Sequence, residues 1–480
     1  MTRRRFSRSS RSARPASQQR SRQRRLSRLE SLEDRHLLTT MLDAAFDANG
    51  LVTRTATNGN DNSYFDAAEQ VVDDERMIIA VLVGETIGSS WIVNRYTESG
   101  QLDANFGTGG EVEFTPPEPG SSTSNISGGI AVNPDNGKIV VASNYDNDFG
   151  VFQLNEDGTP DSSFGVDGFV AIDALDDPST GADRVGAVAL QSDGKIVVGG
   201  TTNGNAYAIV RLTETGALDS SFDGDGVVNI SANAALADIA IFADPNDNNE
   251  EKIVATGNAT QFETVRLDSD GALDTSFGGT GRVSTNFVPG GGAPGGETAY
   301  AVVMSGTKTI VAGAGDNGGG GGAVVLSYDY GGSLSNSFGT GGIAELGYAF
   351  SNHIRDAAVH SDGKLVIATS GFNFGVGRLL ADGSWDESFG SGGFEIDELG
   401  PGGARSVAIS NNGKILLAGN FNGDSAVARF DPNAANEILS NDGYSHFHEA
   451  TSADGFIQFR VSQPLESDAT VFYEFVESQF

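Results

Sequence analysis

One pattern, met seven times, limits what this chain can become. L-D-x-x-F-G and its variants recur as LDAAFD, LDANFG, PDSSFG, LDSSFD, LDTSFG, LSNSFG and WDESFG, with phenylalanines at Phe46, Phe106, Phe164, Phe222, Phe277, Phe338 and Phe389, 51 to 61 residues apart. Before each copy from the second onward, and after the last, runs an apolar segment led by a cation: Arg76 in DERMIIAV, then Lys138, Lys195, Lys252, Lys308, Lys364 and Lys414 in segments such as DGKIVVG. No other lysine occurs in the chain. A third marker follows, an apolar segment that usually ends in arginine: IVNRY, VFQL, AIVRL, TVRL, VVLSY, GVGRL and AVARF. A period of this length is the mark of stacked small units that bury their faces against each other, not of one large core.

Residues 187–230 show what one unit holds. AVAL and KIVVGG are apolar runs joined by SDG, whose Asp-Gly is a strong hairpin turn signal. AYAIVRL follows, then the LDSSF turn, then GVVNI. We name the four expected strands a, b, c and d. Four short strands per unit, repeated seven times, predict an all-β, seven-bladed β-propeller of four-stranded blades over residues 42–431. The chain enters the repeat with a lone LDAAF turn and a d-type strand near LVTRT, and leaves it at Phe430 after strands a, b and c. An N-terminal outer strand completing the last blade would close the ring without an open edge.

These markers resemble the delta-60 repeat family of bacterial proteins, whose units run from LDxSFG through a DGKIVVAG hairpin to an arginine-bearing strand. The hairpin is also similar to that of kelch propellers, although the kelch tryptophan and tyrosine positions are mostly absent. The resemblance reinforces the fold and implies no activity.

In such a blade the a–b and c–d turns lie on one face of the disc, and the b–c and d–a connections on the other. The cation after the a–b turn and the aspartate of the c–d turn therefore share a face. Lys138, Lys195 and their equivalents are expected to pair with Asp103, Asp161, Asp219, Asp274, Asp386 or the turn's own aspartate, each exposed pair contributing about 0–1 kcal/mol. The LD aspartate should cap its own turn by accepting a backbone N–H, and the phenylalanine should plug the space between adjacent blades. The rival expectation is a collar of cations converging on the axis to bind an anion.

Charge narrows the partners. The net charge is −34, and residues 1–28 hold eleven of the 30 cations and no acid, which leaves 19 cations against 64 acids in the remainder. Such a body repels nucleic acid and anionic membrane surfaces. Seven cations in the turn slot and five arginines in the strand-c slot, Arg95, Arg211, Arg266, Arg378 and Arg429, account for twelve of those 19. No apolar run is long enough for a transmembrane helix, and with no cysteine there is no disulfide framework.

The turns hardly vary between copies, whereas the b–c and d–a connections do, and binding residues usually ride on variable loops over a rigid scaffold. Tyr145, Asp146, Asp148, Phe149, Phe372, Asn373, Phe374, Asn420, Phe421 and Asp424 are the candidate ligand-binding residues, with aromatic rings to stack on a sugar or peptide and polar groups to hydrogen-bond it. The same rings could instead fill small loop cores. Catalytic signals are poor: Ser192 with Lys195, and Ser361 with Lys364, mimic an SxxK pair, but the repeat generates both. DNDFG at 146–150, DGDG at 223–226 and DPNDNNEE at 244–251 carry oxygen ligands suited to calcium, though Asp/Asn/Gly clusters are also ordinary turn chemistry. His446 and His448 would point to one side of a strand.

Residues 1–41 are expected to be a basic disordered leader carrying a short SRLESLEDRHLL helix. That segment resembles the LExLExRxLL motif at the start of many large exported bacterial proteins, which implies an extracellular or cell-surface location. Residues 432–480 resemble the opening strands of a Calx-beta module, a partial β-sandwich-like segment in a family whose acidic loops bind calcium. The expected protein is an exported, monomeric, non-catalytic propeller that binds an extracellular polysaccharide or a surface protein. The alternatives are a polysaccharide hydrolase or lyase with a carboxylate site at the axis, and a structural spacer.

Overall fold

The computed structural model describes residues 41–47, 50–54, 64–83, 90–115, 128–174, 183–202, 206–231, 234–258, 261–287, 297–315, 322–346, 353–390, 392–432, 447–453 and 456–461. Every regular element among them is a β-strand. Residues 40–434 form one compact unit, and residues 1–39 with 435–480 form the other. Within the second, the described residues form a hairpin of Phe447–Ala453 with Phe456–Val461. The LESLEDRHLL segment and His446 lie outside the described residues, as does the side chain of His448.

The larger unit begins with β1 (Leu51–Arg54) and then repeats a four-stranded antiparallel sheet. β2 (Tyr64–Val72), β3 (Glu75–Val83), β4 (Trp91–Tyr96) and β5 (Glu111–Phe114) make the first sheet. β6 (Gly128–Val132), β7 (Ile139–Tyr145), β8 (Asp148–Leu154) and β9 (Phe169–Ile172) make the second. β10 (Arg184–Leu190), β11 (Ile196–Thr202), β12 (Ala206–Leu212) and β13 (Val227–Ser231) follow, then β14 (Ala235–Asp244), β15 (Glu250–Asn258), β16 (Phe262–Leu267) and β17 (Arg282–Thr285). The next sheet holds β18 (Thr298–Ser305), β19 (Lys308–Gly315), β20 (Gly322–Tyr328) and β21 (Ile343–Glu345).

β22 (His353–Val359), β23 (Leu365–Leu379), β24 (Phe394–Ile409), β25 (Ile415–Phe421) and β26 (Asp424–Phe430) join β1 in a six-stranded sheet. Two of these strands are long and change partner along their length. The start of β23 pairs with β22 and its end with the start of β24, while the end of β24 pairs with β25. β1 lies antiparallel on β26, Leu51 opposite Ala428 and Arg54 opposite Ser425, so the N-terminal strand covers the edge that the C-terminal hairpin leaves. The inner strands β2, β6, β10, β14, β18, β22 and β24 each touch the next, and β24 touches β2, which closes the circuit.

The core is divided in the way the repeat predicts. Val- and Ile-rich middle strands are buried on both faces, as in IVVGGTT of β11, because each sheet is covered by a neighbour on both sides. Six of the repeated phenylalanines lie in clusters that join two successive sheets, as Phe106 sits with Val81 and Val93 of the first and Val141 and Leu154 of the second, while the cluster of Phe389 joins strands β23 to β26 within the six-stranded sheet. All seven are at most 1 % exposed. The glycine in the c–d turn of the following sheet makes room for this ring. At Gly216, with φ +83°, an added Cβ would lie 2.8 Å from Val170 Cγ2 and 3.1 Å from Phe164.

Candidate functional site

The turn cations are spent on the scaffold. Lys138 Nζ lies 2.6 Å from Asp161, Lys364 3.1 Å from Asp386 and Lys414 2.5 Å from Asp43. Lys195 reaches Asp193 at 2.9 Å and Asp219 at 3.6 Å, and Lys252 reaches Asp268 at 2.6 Å and Asp274 at 3.4 Å. Turn aspartates also accept from the strand-c arginines: Asp103 from Arg95, Asp219 from Arg211, Asp274 from Arg266, Asp386 from Arg378 and Asp43 from Arg429, at 2.6 to 2.8 Å. Their other oxygen caps the turn, as when Ser221 N–H donates to Asp219 Oδ1. Each guanidinium stands over the repeated phenylalanine, 4.5 Å from the ring centre for Arg211 on Phe222.

One oxygen thus caps the turn and the other receives the cations, so pairing and capping occur together. The aspartates are buried, Asp103 to 5 % and Asp274 to 4 % exposure, so this is an interior network and not a set of surface pairs. Burial pushes the Asp219 carboxyl up, but the hydroxyl and amide of Ser221 and the charges of Arg211 and Lys195 outweigh it and bring its pKa to about 2. Asp386 is held at about 2 in the same way. Because these lysines engage turn aspartates, they form no collar on the axis.

The axis carries different residues. A cavity of about 750 Å³ is lined by the inner strands: Phe65 and Asp66 of β2, Gly128 and Gly129 of β6, Arg184 to Val188 of β10, Ala235 to Asp238 of β14, Tyr300 of β18, Arg355 and Asp356 of β22, and Arg405 and Ser406 in the part of β24 that pairs with β25. Inner strands start at the d–a connections, so the cavity lies toward the face where the variable connections are. Its lining depends on a feature shared by six inner strands: the register slips by one residue, at Phe65, Gly186, Ala237, Tyr300, Arg355 and Arg405. A β-bulge of this kind leaves one residue unpaired and re-aims it, and all six bulge residues line the cavity.

The residue after the bulge is an aspartate in three strands, where it ties two inner strands together. Asp66 accepts from Ala67 N–H at 2.8 Å and from Ile130 N–H of the next inner strand at 2.8 Å, with Ser406 Oγ donating at 2.5 Å. Asp238 accepts from Ile239 and Val302, and Asp356 from Ala357 and Val407, at 2.7 to 2.8 Å. Protein surrounds these carboxylates although each keeps an edge on the cavity. Burial pushes the Asp238 pKa up to about 7 against its two N–H donors, and burial together with the charges of Asp238 and Asp66 pushes Asp356 well above the usual range. Among the cations, the Arg355 guanidinium lies over the Tyr300 ring, 4.7 Å from its centre. Burial, and then the charge of Arg355, lowers the pKa of Arg405.

The sequence-derived candidates fall elsewhere. Tyr145, Asp146, Asp148 and Phe149 lie at the β7–β8 turn, where Tyr145 packs edge-on against Phe169 at 4.9 Å and Phe149 is wholly buried. Phe374 is 1 % and Phe421 8 % exposed, and both belong to the cluster around Val366 and Leu417. Asn420 and Asp424 flank the β25–β26 turn, half-buried. The side chains of Phe372 and Asn373 lie outside the described residues, as do most of the d–a connections. The described rings therefore fill packing sites near the loops, and none of the eight candidates whose side chains are described lines the axial cavity.

The calcium candidates are turns. Asp146, Asp223, Asn248 and Asn249 have positive φ, and Asp244 accepts from Asn246 and Tyr330. Among the described residues no three acidic or histidine side chains are grouped to hold a metal ion.

The axial residues passed unnoticed in the sequence because no repeated motif contains them. Two signals were available. FDAA, ADIA and RDAA place an aspartate in the third, fourth and fourth positions of apolar inner strands, and seven of the 19 cations beyond residue 28 fall outside the repeated slots.

The model of a family described as a domain of unknown function (DUF5122) beta-propeller matches residues 135–164, 191–222, 252–277, 360–389 and 411–433. Four of these segments contain both a turn lysine and the repeated phenylalanine. Among solved structures, the chain is similar to Sqt1 from Chaetomium thermophilum at 11% identity and a TM-score of 0.46, covering 78% of this chain and 97% of that one. It is also similar to BBS1N, solved in complex with ARL6DN, at 12% identity and a TM-score of 0.44, covering 80% and 98%. A gluconolactonase, XC5397 from Xanthomonas campestris, aligns at 12% identity and a TM-score of 0.36, covering 81% and 92%. No curated protein matches the chain. With its four-stranded antiparallel sheets and its matched repeats, this chain is a β-propeller repeat protein.

Proposed function

We propose that the protein is an exported, seven-bladed, non-catalytic propeller that binds an extracellular polymer on the face carrying the variable connections, with the axial cavity as its recognition site. The blade count takes the six-stranded sheet as two blades that share the long strands β23 and β24, added to the five separate sheets. The observation that carries the reading is the cavity itself. At about 750 Å³ it falls in the range of about 300–1,000 Å³ usual for ligand sites, and five of the six bulge residues that line it carry side chains. Both oxygens of Asp238 and Asp356 accept backbone N–H groups, a structural duty that suits a fixed wall better than a proton shuttle.

Affinity electrophoresis of the full chain through gels containing neutral or acidic polysaccharides tests this. Retardation without shortening of the polymer is the expected result, and migration unchanged in every gel would overturn it. One observation favours a second reading, a polysaccharide hydrolase or lyase: a cavity carboxyl with its pKa near neutrality can act as a general acid. That reading requires polymer shortening that disappears in Asp238→Asn.

A further inference from the structure

The cations outside the repeated slots are not spread evenly. Twelve of the 19 beyond residue 28 belong to the scaffold slots, and of the seven others three, Arg184, Arg355 and Arg405, line the axial cavity. Arg54 and Arg282 are engaged with Glu111 and Glu263 at 2.7 and 2.8 Å, while Arg35 and the side chain of Arg460 lie outside the described residues. In a chain with 64 acids, this cavity sets three guanidinium groups beside the carboxyl groups of Asp66, Asp238 and Asp356, and the low-dielectric walls of a concave site strengthen the interactions of both sets.

We propose that the axial cavity recognises a sugar-acid unit, a ring bearing one carboxylate and several hydroxyls, with Arg355 and Arg405 as the carboxylate partners and Asp66, Asp238 and Asp356 as hydroxyl acceptors. The assignment rests on the variable face being the binding face. Arg355 and Arg405 are bulge residues of β22 and β24, inner strands that touch each other. Stacking on Tyr300 holds the Arg355 guanidinium in place, and a planar guanidinium suits a carboxylate because it can donate two parallel hydrogen bonds. Apart from Asp66 Oδ1, which also accepts from Ser406, each aspartate oxygen that takes one backbone N–H keeps a second lone pair to which a sugar hydroxyl can donate.

The mixture of signs discriminates between anions. A phosphate dianion would gain from the arginines but bring few hydroxyls to the three aspartates, whereas a singly charged ring with several hydroxyls satisfies both sets. An acidic peptide offers the carboxylate without the hydroxyls.

Isothermal titration of the full chain tests the assignment, using oligomers of glucuronate, galacturonate and mannuronate, their carboxyl-reduced counterparts, pentaglutamate and inorganic phosphate. At least one uronate oligomer is expected to bind at least tenfold more tightly than its reduced form, pentaglutamate and phosphate. Arg355→Gln and Arg405→Gln should each weaken it at least tenfold with unchanged melting temperature, Arg355→Lys should fall between, and Arg76→Gln should leave it unaltered. Binding that neither arginine variant weakens, equal binding of pentaglutamate or phosphate, or no uronate binding would overturn the proposal. If a reduced, neutral oligomer binds as well and tolerates both variants, the sugar-acid assignment fails while the variable face stands as a binding face. If no polymer retards the protein in electrophoresis either, both fail.

Discussion

A single aspartate oxygen organises six of the seven repeats. Asp219 Oδ2 receives Arg211, which also donates to the Ser269 carbonyl of the neighbouring sheet, so the pair joins two blades as well as two strands. Substituting one partner leaves a buried charge alone, which costs about 3–5 kcal/mol, while losing the partly exposed Lys195 costs about 0–1 kcal/mol. Asp219→Ala is therefore expected to lower the denaturant midpoint far more than Lys195→Met, and equal shifts would place the weight on the lysine.

The chain contains its own comparison. Where the strand-c arginine becomes Ser327, the turn aspartate becomes Ser335, and Lys308 donates to Ser337 instead. The buried Ser327 hydroxyl has no partner among the described residues. Ser327→Arg alone should destabilise strongly, and adding Ser335→Asp should recover about 1–3 kcal/mol of coupling in a double-mutant cycle. Additive effects would mean that the two positions changed independently.

At the scale of elements, β1 and the bulges do most to set the architecture. β1 pairs over its whole length with β26 and so covers the C-terminal edge, and an uncovered edge is a template for pairing with another chain. A chain lacking residues 1–54 would also lose Asp43 and Phe46, the partners of Arg429. It is expected to self-associate and to unfold without a single sharp transition, as read by light scattering and calorimetry; a monomer with an unchanged transition would show that closure is dispensable. The bulges act on the other side of each sheet. By shifting the alternation of an inner strand by one residue they bring Phe65, Tyr300, Arg355 and Arg405 to the axis while the apolar residues that follow stay in the core.

For the whole molecule, two sets of carboxylates oppose each other in pH. The turn aspartates Asp43, Asp161, Asp219, Asp274 and Asp386 are depressed, Asp219 and Asp386 to about 2, so their stabilisation is present above the ordinary value of 3.8 and is lost as pH falls toward 2. The axial aspartates are raised, Asp238 to about 7. Their protonated form is favoured in the fold, so that contribution is complete below 3.8 and is lost as pH rises through 7. Stability should therefore peak on the acid side of neutrality, and Asp238→Asn should flatten the decline between pH 5 and about 8. A profile with the same slope in the variant would assign that decline to other groups.

The sequence by itself determined the repeat, the order of its strands, the phenylalanine between sheets, the shared face of Lys138 and Asp161, and the pairing of the two chain ends. All of these follow from local turn chemistry and a side-chain alternation that a linear pattern records. It left the loop aromatics open between ligand contact and packing, because Phe149, Phe374 and Phe421 read the same whether they face solvent or a neighbouring sheet. Only the tertiary structure decided that Asp66, Asp238, Tyr300, Arg355 and Arg405 meet. Each belongs to a different inner strand, and a one-residue bulge set by the neighbouring strand, not by any local motif, turns those strands toward a common axis.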